Sequence, residues 1–319
     1  MMIKLESRRL NADDCKKLAR LNISVRKDTP LETKRSVVDI AKSIEGLSNN
    51  DGFHIIVASD EMGNIVGWTY YYVAFPLMTF ISGFYPVVEQ TERSEEIAQG
   101  LIKASKKEVL ERGHTRLEIE LVFPSDEHRT YSEKLVDLYK QCDFQFAAEE
   151  VHMKCDLMGI ELPAIELPMD YTVRKFSDAS YDDLEGPGFD TLRDSQEGLF
   201  LSMSPAEQKV TIEYFFDKGR PWIEDASLVL EKENEIVGFV ITRWNDDDKP
   251  EIGPVGLVPD KRGKGLASYL LVRVMESLKD GGSTAVYLDT TVTNHPAQKL
   301  YRKYGFEDVY YKQFYYWSP

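Results

Sequence analysis

One feature constrains this chain before any other: it carries the same pattern twice. Asn64-Ile65-Val66-Gly67-Trp68 recurs as Glu235-Ile236-Val237-Gly238-Phe239, 171 residues later. Arg93-Ser94-Glu95-Glu96-Ile97-Ala98 lines up with Arg262-Gly263-Lys264-Gly265-Leu266-Ala267, and the following helix keeps that register. Ala98, Leu101, Ile102, Ser105 and Val109 correspond to Ala267, Leu270, Leu271, Val274 and Leu278, each set one face of an amphipathic helix with Ser105 its weak point. Tyr139-Lys140-Gln141-Cys142-Asp143-Phe144 then mirrors Tyr301-Arg302-Lys303-Tyr304-Gly305-Phe306. Four matches in one order define a tandem duplication. Length agrees, since 319 residues make two domains at about 100–200 each. The expected division is 1–158, a linker at 159–169 holding Pro163 and Pro168, and 170–319.

Each half reads as strand, helices, strands, helix, strand, helix and closing strands, an α/β arrangement on a mixed, mostly antiparallel sheet. In the second half strands are expected near Tyr171–Phe176, Ser227–Glu231, Ile236–Trp244, Glu251–Val258, Ala285–Thr290 and Asp308–Trp317. Helices are expected within Ser180–Lys218 and over Leu266–Lys279 and Pro296–Tyr304. The uncharged stretch Ile65–Val88 is long enough for a bilayer, but its prolines, glycines and β-branched and aromatic residues predict two strands joined near Pro76. The start of the chain lacks the apolar core of a secretory leader. A net charge of -15 argues against nucleic acid, and three cysteines without ligand spacing read as reduced thiols with no metal. A cytoplasmic protein with no membrane partner is the expectation.

The most informative run is Leu257-Val258-Pro259-Asp260-Lys261-Arg262-Gly263-Lys264-Gly265-Leu266-Ala267, joining a strand directly to the amphipathic helix. Glycines at 263 and 265 let successive N–H groups turn inward, and the positive helix end adds to an anion site suited to a pyrophosphate. Lys261, Arg262 and Lys264 add charge. A strand-to-helix turn with glycines for tight packing reads from the same residues. The spacing is neither that of a dinucleotide fold nor of a Walker loop.

With Val258-Pro259 ahead of R-x-x-G-x-A, and Asn294, Ala297 and Leu300-Tyr301-Arg302-Lys303-Tyr304-Gly305-Phe306 after the strand Ala285–Thr290, residues 171–319 resemble the GNAT acyltransferase superfamily. The paired arrangement resembles tandem GNAT proteins of the mycothiol synthase type. The resemblance implies acetyl-CoA, or a related acyl-CoA, as donor. By position it implies that the amides of Arg262, Gly263, Lys264, Gly265, Leu266, Ala267 and Ser268 cradle the pyrophosphate. Leu257 and Val258 would offer backbone groups to the pantetheine arm where a bulged strand splays from its neighbour, and Asn294 would bond that arm. The Leu257 N–H would polarise the thioester carbonyl.

An amine is mostly protonated at neutral pH, so a base, or a water relay to one, is useful; Glu251, which reads equally as a solvated strand-end carboxylate, is the first candidate and Asp289 on the neighbouring strand the second. Tyr301 matches the family's general acid toward the leaving thiolate, though a helix tyrosine can simply pack on a sheet. No residue requires a covalent acyl-enzyme, so direct attack by the amine is expected. In the first half Ser94 and Glu96 replace both glycines, Asp143 replaces Gly305, and only Tyr139 echoes Tyr301, predicting a structural or pocket-shaping role. From Asp178 to Asp248 stand eighteen acids and six bases; from Lys249 to Pro319 stand ten bases and seven acids. That division favours a small cationic amine acceptor, unless the acids are merely a solvated face. The rival to an N-acetyltransferase, as a monomer or homodimer, is a non-catalytic acyl-CoA-binding or scaffolding protein.

Overall fold

The computed structural model describes residues 3–75, 77–81, 83–245 and 247–319, so Pro76, the expected joint between two strands, lies outside the described residues. Contacts divide the chain into two compact units. One is the chain as far as Ala147 together with Lys312–Pro319; the other is Ala148–Tyr311.

The first unit runs β1 (Lys4–Ser7), α1 (Ala12–Arg26), α2 (Val37–Ser48), β2 (Phe53–Ser59), β3 (Ile65–Phe75), β4 (Met78–Ile81), β5 (Val87–Val88), α3 (Ser94–Glu111), β6 (Arg116–Phe123) and α4 (Asp126–Gln141), then enters β7 (Gln145–Asp156). Its strand order is β1-β2-β3-β4-β6, with β5 paired to β3 and the chain's last strand next to β6. All the registered pairs are antiparallel except β4 with β6. The apolar stretch after Asn64 is therefore sheet: β3 and β4 face each other with Tyr71 opposite Ile81. No helix among the described residues is long and apolar enough to cross a membrane. Buried Leu18, Ile40, Ile44, Val57 and Trp68 tie α1 and α2 to β2 and β3. On α3 every position of the expected face is buried, and Ser105 is accommodated by donating its hydroxyl to Leu101 O at 3.0 Å.

The second unit takes β7 from Ala148 onward. It then runs β8 (Tyr171–Lys175), α5 (Tyr181–Arg193), α6 (Gly198–Leu201), α7 (Pro205–Phe215), β9 (Leu228–Lys232), β10 (Glu235–Trp244), β11 (Pro250–Leu257), α8 (Leu266–Asp280), β12 (Ala285–Thr291), α9 (His295–Lys303) and β13 (Glu307–Trp317). The strand order is β7-β12-β11-β10-β9-β8. Only β11 and β12 run parallel among the registered pairs. Leu270, Leu271, Val274 and Leu278 of α8 close one side of this sheet over Val240, Ile252, Met153 and Leu288. The α5 helix packs on β10 and β11.

The repeated element order is the tandem architecture that the duplication predicts. Its boundaries are different. Residues 148–158 fall in the second unit and residues 312–319 in the first, instead of the expected division at 158 and 170. The cause is strand pairing: β7 forms a seven-residue antiparallel ladder with β12, from Glu150 opposite Thr291 to Asp156 opposite Ala285. Such partner choice is a long-range decision that local hydropathy does not report. Nor is 159–169 a free tether, since Ile160, Leu162, Ile165 and Leu167 pack on the second unit's core. All three cysteines are free and buried, and burial pushes the Cys155 thiol up to about 11.

Candidate active site

The site is built where β11 leaves β12. The two strands are in register only at Glu251 opposite Tyr287 and Ile252 opposite Leu288. On the other side of β11, Val240 faces Val255 and Thr242 faces Ile252, so three steps on β11 meet two on β10. That is the expected bulge, with the extra residue in the Gly253-Pro254 segment. Beyond it the Val258 N–H donates to Val237 O at 3.0 Å. Antiparallel alternation then turns the N–H of Leu257, and of Val255, away from β10 and into the splay. The Val258 backbone is engaged within the protein: its N–H is held by Val237, and its carbonyl accepts from Lys261 N at 3.0 Å.

The loop after β11 depends on two left-handed residues, Gly263 at φ 75° and Gly265 at φ 80°. A Cβ built on either meets no heavy atom within 4 Å, so the glycines serve backbone conformation rather than tight packing. Gly265 is the N-cap of α8 and contributes no side chain, and the first N–H to close back on it is that of Tyr269, at 3.0 Å to Gly265 O. The N–H groups of Leu266, Ala267 and Ser268 are consequently the orphan donors of the helix end. The cradle begins one residue later than expected, because the Arg262 N–H is bonded to Pro259 O at 3.2 Å.

The basic side chains of the loop have other work. Arg262 reaches Leu257 O at 3.1 Å, Thr191 O at 3.1 Å, and Asp194 O and Oδ2 at 3.0 and 2.8 Å. Its guanidinium therefore clamps the end of α5 to the end of β11 instead of facing the cradle. Lys261 pairs with Asp260, and Lys264 donates to Asp260 O at 3.0 Å.

Past β12 the chain turns through Thr291–Asn294. Asn294 Oδ1 caps α9 by accepting from Ala297 N at 3.3 Å, and its amide donates to Glu197 Oε1 at 3.2 Å. Glu197 also accepts from Thr291 Oγ1 at 2.8 Å. Sequence reasoning missed Glu197, which is one acid among eighteen in its region and gains meaning only by meeting this turn. Tyr301 is buried, and its hydroxyl has no hydrogen-bond partner among the described residues. Burial, with the nearby Glu197 charge, holds its pKa well above the usual tyrosine value, so it stays protonated through neutral and mildly alkaline pH. Glu251 is half-buried and accepts from Asn245 Nδ2 at 3.4 Å. Asp289, the second candidate base, lies 2.7 Å from His152 Nδ1.

Comparison with known proteins gives this geometry a family. Residues 191–306 match the model of the acetyltransferase (GNAT) family. An N-alpha-acetyltransferase of Sulfurisphaera tokodaii is 30% identical over 115 residues, covering 32% of this chain and 69% of its own. The chain belongs to the GNAT acetyltransferase family. A mycothiol acetyltransferase of Thermomonospora curvata is 30% identical over 159 residues, 49% of this chain and 50% of its own, so this chain spans about half the length of such a relative. Among solved structures, a tandem GNAT protein from the clavulanic acid biosynthesis pathway shares the fold at TM-score 0.51 and 14% identity, over 99% of this chain and 98% of its own.

Proposed function

We propose that this protein is an N-acetyltransferase that uses acetyl-CoA and works in its second unit, moving acetyl to a primary amine of a small cationic molecule. The single observation that carries the reading is the Gly263–Ser268 loop. Two left-handed glycines and three orphan helix N–H groups form a donor cradle immediately after a strand whose Leu257 N–H points into a splay. These donors fit a pyrophosphate followed by an extended arm, with Gly263, Lys264, Gly265, Leu266, Ala267 and Ser268 holding the former and Leu257 the latter. When bound, the coenzyme supplies an activated acyl carbon for direct attack by the amine.

Leu257 N–H stabilises negative charge on the acyl oxygen. Tyr301 presents a protonated hydroxyl, without a hydrogen-bond partner among the described residues, suited to donating toward the leaving sulfur. Asn294 acts through its cap on α9 and its bond to Glu197, which fix the turn ahead of Tyr301. Glu251, Asp289 and Glu150 share one face of the sheet, as the pairings Glu251–Tyr287 and Asp289–His152 and the alternation along β12 and β7 require. Lys154, Arg243 and Lys249 stand on the same face, so a cationic acceptor is favoured instead by the eighteen acids against six bases between Asp178 and Asp248. The relatives named above differ in acceptor, so the choice rests on this charge.

Calorimetric titration of acetyl-CoA into the protein and into Gly265→Glu tests the reading. One site per chain, lost in the variant, followed by thiol release with an amine panel, is the expected result. Binding without turnover on any amine would favour an acyl-CoA-binding scaffold. No binding in either protein would overturn the coenzyme assignment.

A further inference from the structure

The GNAT match begins at residue 191, yet the second unit contains β7, which stands well ahead of it in sequence. On β7, His152 lies directly opposite Asp289 of β12, with Nδ1 2.7 Å from Asp289 Oδ1. Its ring is stacked between Tyr310 at 4.5 Å and 16° and Tyr287 at 5.5 Å and 17°. Two aromatic faces and one carboxylate fix both the plane and the rotation of the imidazole. Nδ1 is the nitrogen that meets the carboxylate, so it carries the proton, and Nε2 is left with its lone pair. Nε2 has no hydrogen-bond partner among the described residues. Asp289 stands one residue past the last β11–β12 pair, on the edge of β12 from which β11 has departed. A histidine oriented by a carboxylate, its second nitrogen unengaged, beside the splay, is the arrangement of a general base rather than of a packing residue.

Resting on the acetyltransfer reading, we propose that His152 Nε2 is the base that deprotonates the acceptor ammonium, with Asp289 its positioning residue, and that Glu251 attracts the cation without taking its proton. The proton balance is complete. The ammonium gives one proton to Nε2, which passes it to solvent. The freed nitrogen lone pair attacks the acyl carbon, forming the C–N bond as the C–S bond breaks. The second nitrogen proton replaces the one that Tyr301 gives to the leaving sulfur, so the amide and the thiol form with one net proton released.

Two nucleophiles separate this role from a structural one. Spermidine is protonated at neutral pH and needs a base, whereas hydroxylamine is largely neutral and does not. In thiol-release assays at pH 7, His152→Gln should lower kcat with spermidine about 100-fold, within the usual range for a general base. With hydroxylamine the loss should be under about threefold, since little base work remains. Asp289→Asn, close in shape, should reproduce the same split, and Glu251→Gln should raise the KM for spermidine more than it lowers kcat. Independently of turnover, 15N spectra of the five histidines should show a signal, missing in His152→Gln, with the proton on Nδ1, and Asp289→Asn should shift it. Equal loss with both nucleophiles, or an Nε2–H tautomer, would overturn the assignment while leaving acetyltransfer standing. No turnover of either nucleophile by the unmodified protein would overturn both.

Discussion

The entry to α8 and the entry to α3 descend from one pattern and have become opposites. In the second unit the chain passes through left-handed Gly263 and Gly265 before helix begins at Leu266. In the first, helix begins three residues sooner, at Ser94, the position matching Gly263. The loop has been absorbed into the helix. Ser94 Oγ accepts from Thr91 N at 2.7 Å, and Arg93 grips Glu96 at 2.7 and 2.8 Å. Glu95 and Glu96 now occupy the first turn, where carboxylates satisfy the positive helix end from within. A helix start with open N–H groups and a self-satisfied one thus differ by two glycines and two acids.

The tyrosines diverge in the same sense. Tyr139, fully buried, spends its hydroxyl on Tyr85 O, whereas the Tyr301 hydroxyl has no partner among the described residues. Asn294 and Ser125, by contrast, share a role: both cap the helix that follows, α9 and α4. Both units kept the cap that folding requires, while the two loop glycines on which the proposed coenzyme site depends stand only in the second.

The largest effect that can break this contrast is on coenzyme binding. Gly265→Glu forces a side chain into φ 80° at about 1–2 kcal/mol and sets a carboxylate near the cradle at about 3 kcal/mol for a ~5 Å approach. Calorimetry should show close to a thousandfold loss. Ser94→Gly with Glu96→Gly in the first unit should create no second site, because Glu95 still sets a carboxylate at the position matching Lys264; a second site would dissolve the contrast.

Next in size is an alkaline effect. Burial raises the Tyr71, Tyr85 and Tyr139 hydroxyls in the first unit and Tyr181 and Tyr301 in the second, where the hydrogen bond to Asp308 also raises Tyr311. Above about pH 10 the unfolded chain releases those protons and the folded chain keeps them, so stability falls as pH rises, by up to about 1.4 kcal/mol per pH unit for each tyrosine. Denaturant melts between pH 9 and 11 should show both units losing stability, with similar slopes, since each holds three such tyrosines. A unit whose stability stays flat would contradict it.

Tyr301→Phe should lower kcat about 10- to 100-fold and leave acetyl-CoA affinity unchanged. Tyr139→Phe should do the reverse, costing about 1–3 kcal/mol of stability through an unsatisfied Tyr85 carbonyl while turnover persists. Unchanged turnover in Tyr301→Phe would remove that residue from the mechanism. Smallest is Asn294→Ser, which makes α9 resemble α4. Serine caps as well as asparagine, so melting should move little, within about 0.5 kcal/mol, while the bond to Glu197 is lost. A large drop in stability would show that Glu197, not the cap, holds this turn.

Much of this was legible in the chain. The six strands and two later helices expected in the second half occur within about two residues of their places, because alternation and the helical repeat are local signals that burial then rewards. The two loop glycines were legible for a different reason: only a residue without Cβ adopts their backbone angles freely. What the tertiary structure alone decided was partnership. Arg262 read as a phosphate-binding charge and became a clamp on Thr191 and Asp194. Glu197 read as one acid of many and became the partner of Thr291 and Asn294. His152 sat outside the expected working half until β7 laddered with β12 and brought it against Asp289. Backbone conformation is written residue by residue, and so the sequence determined the cradle. Side-chain and strand partners are chosen across more than a hundred residues by which pairing buries most and leaves fewest polar groups unmet, and that choice exists only in the folded chain.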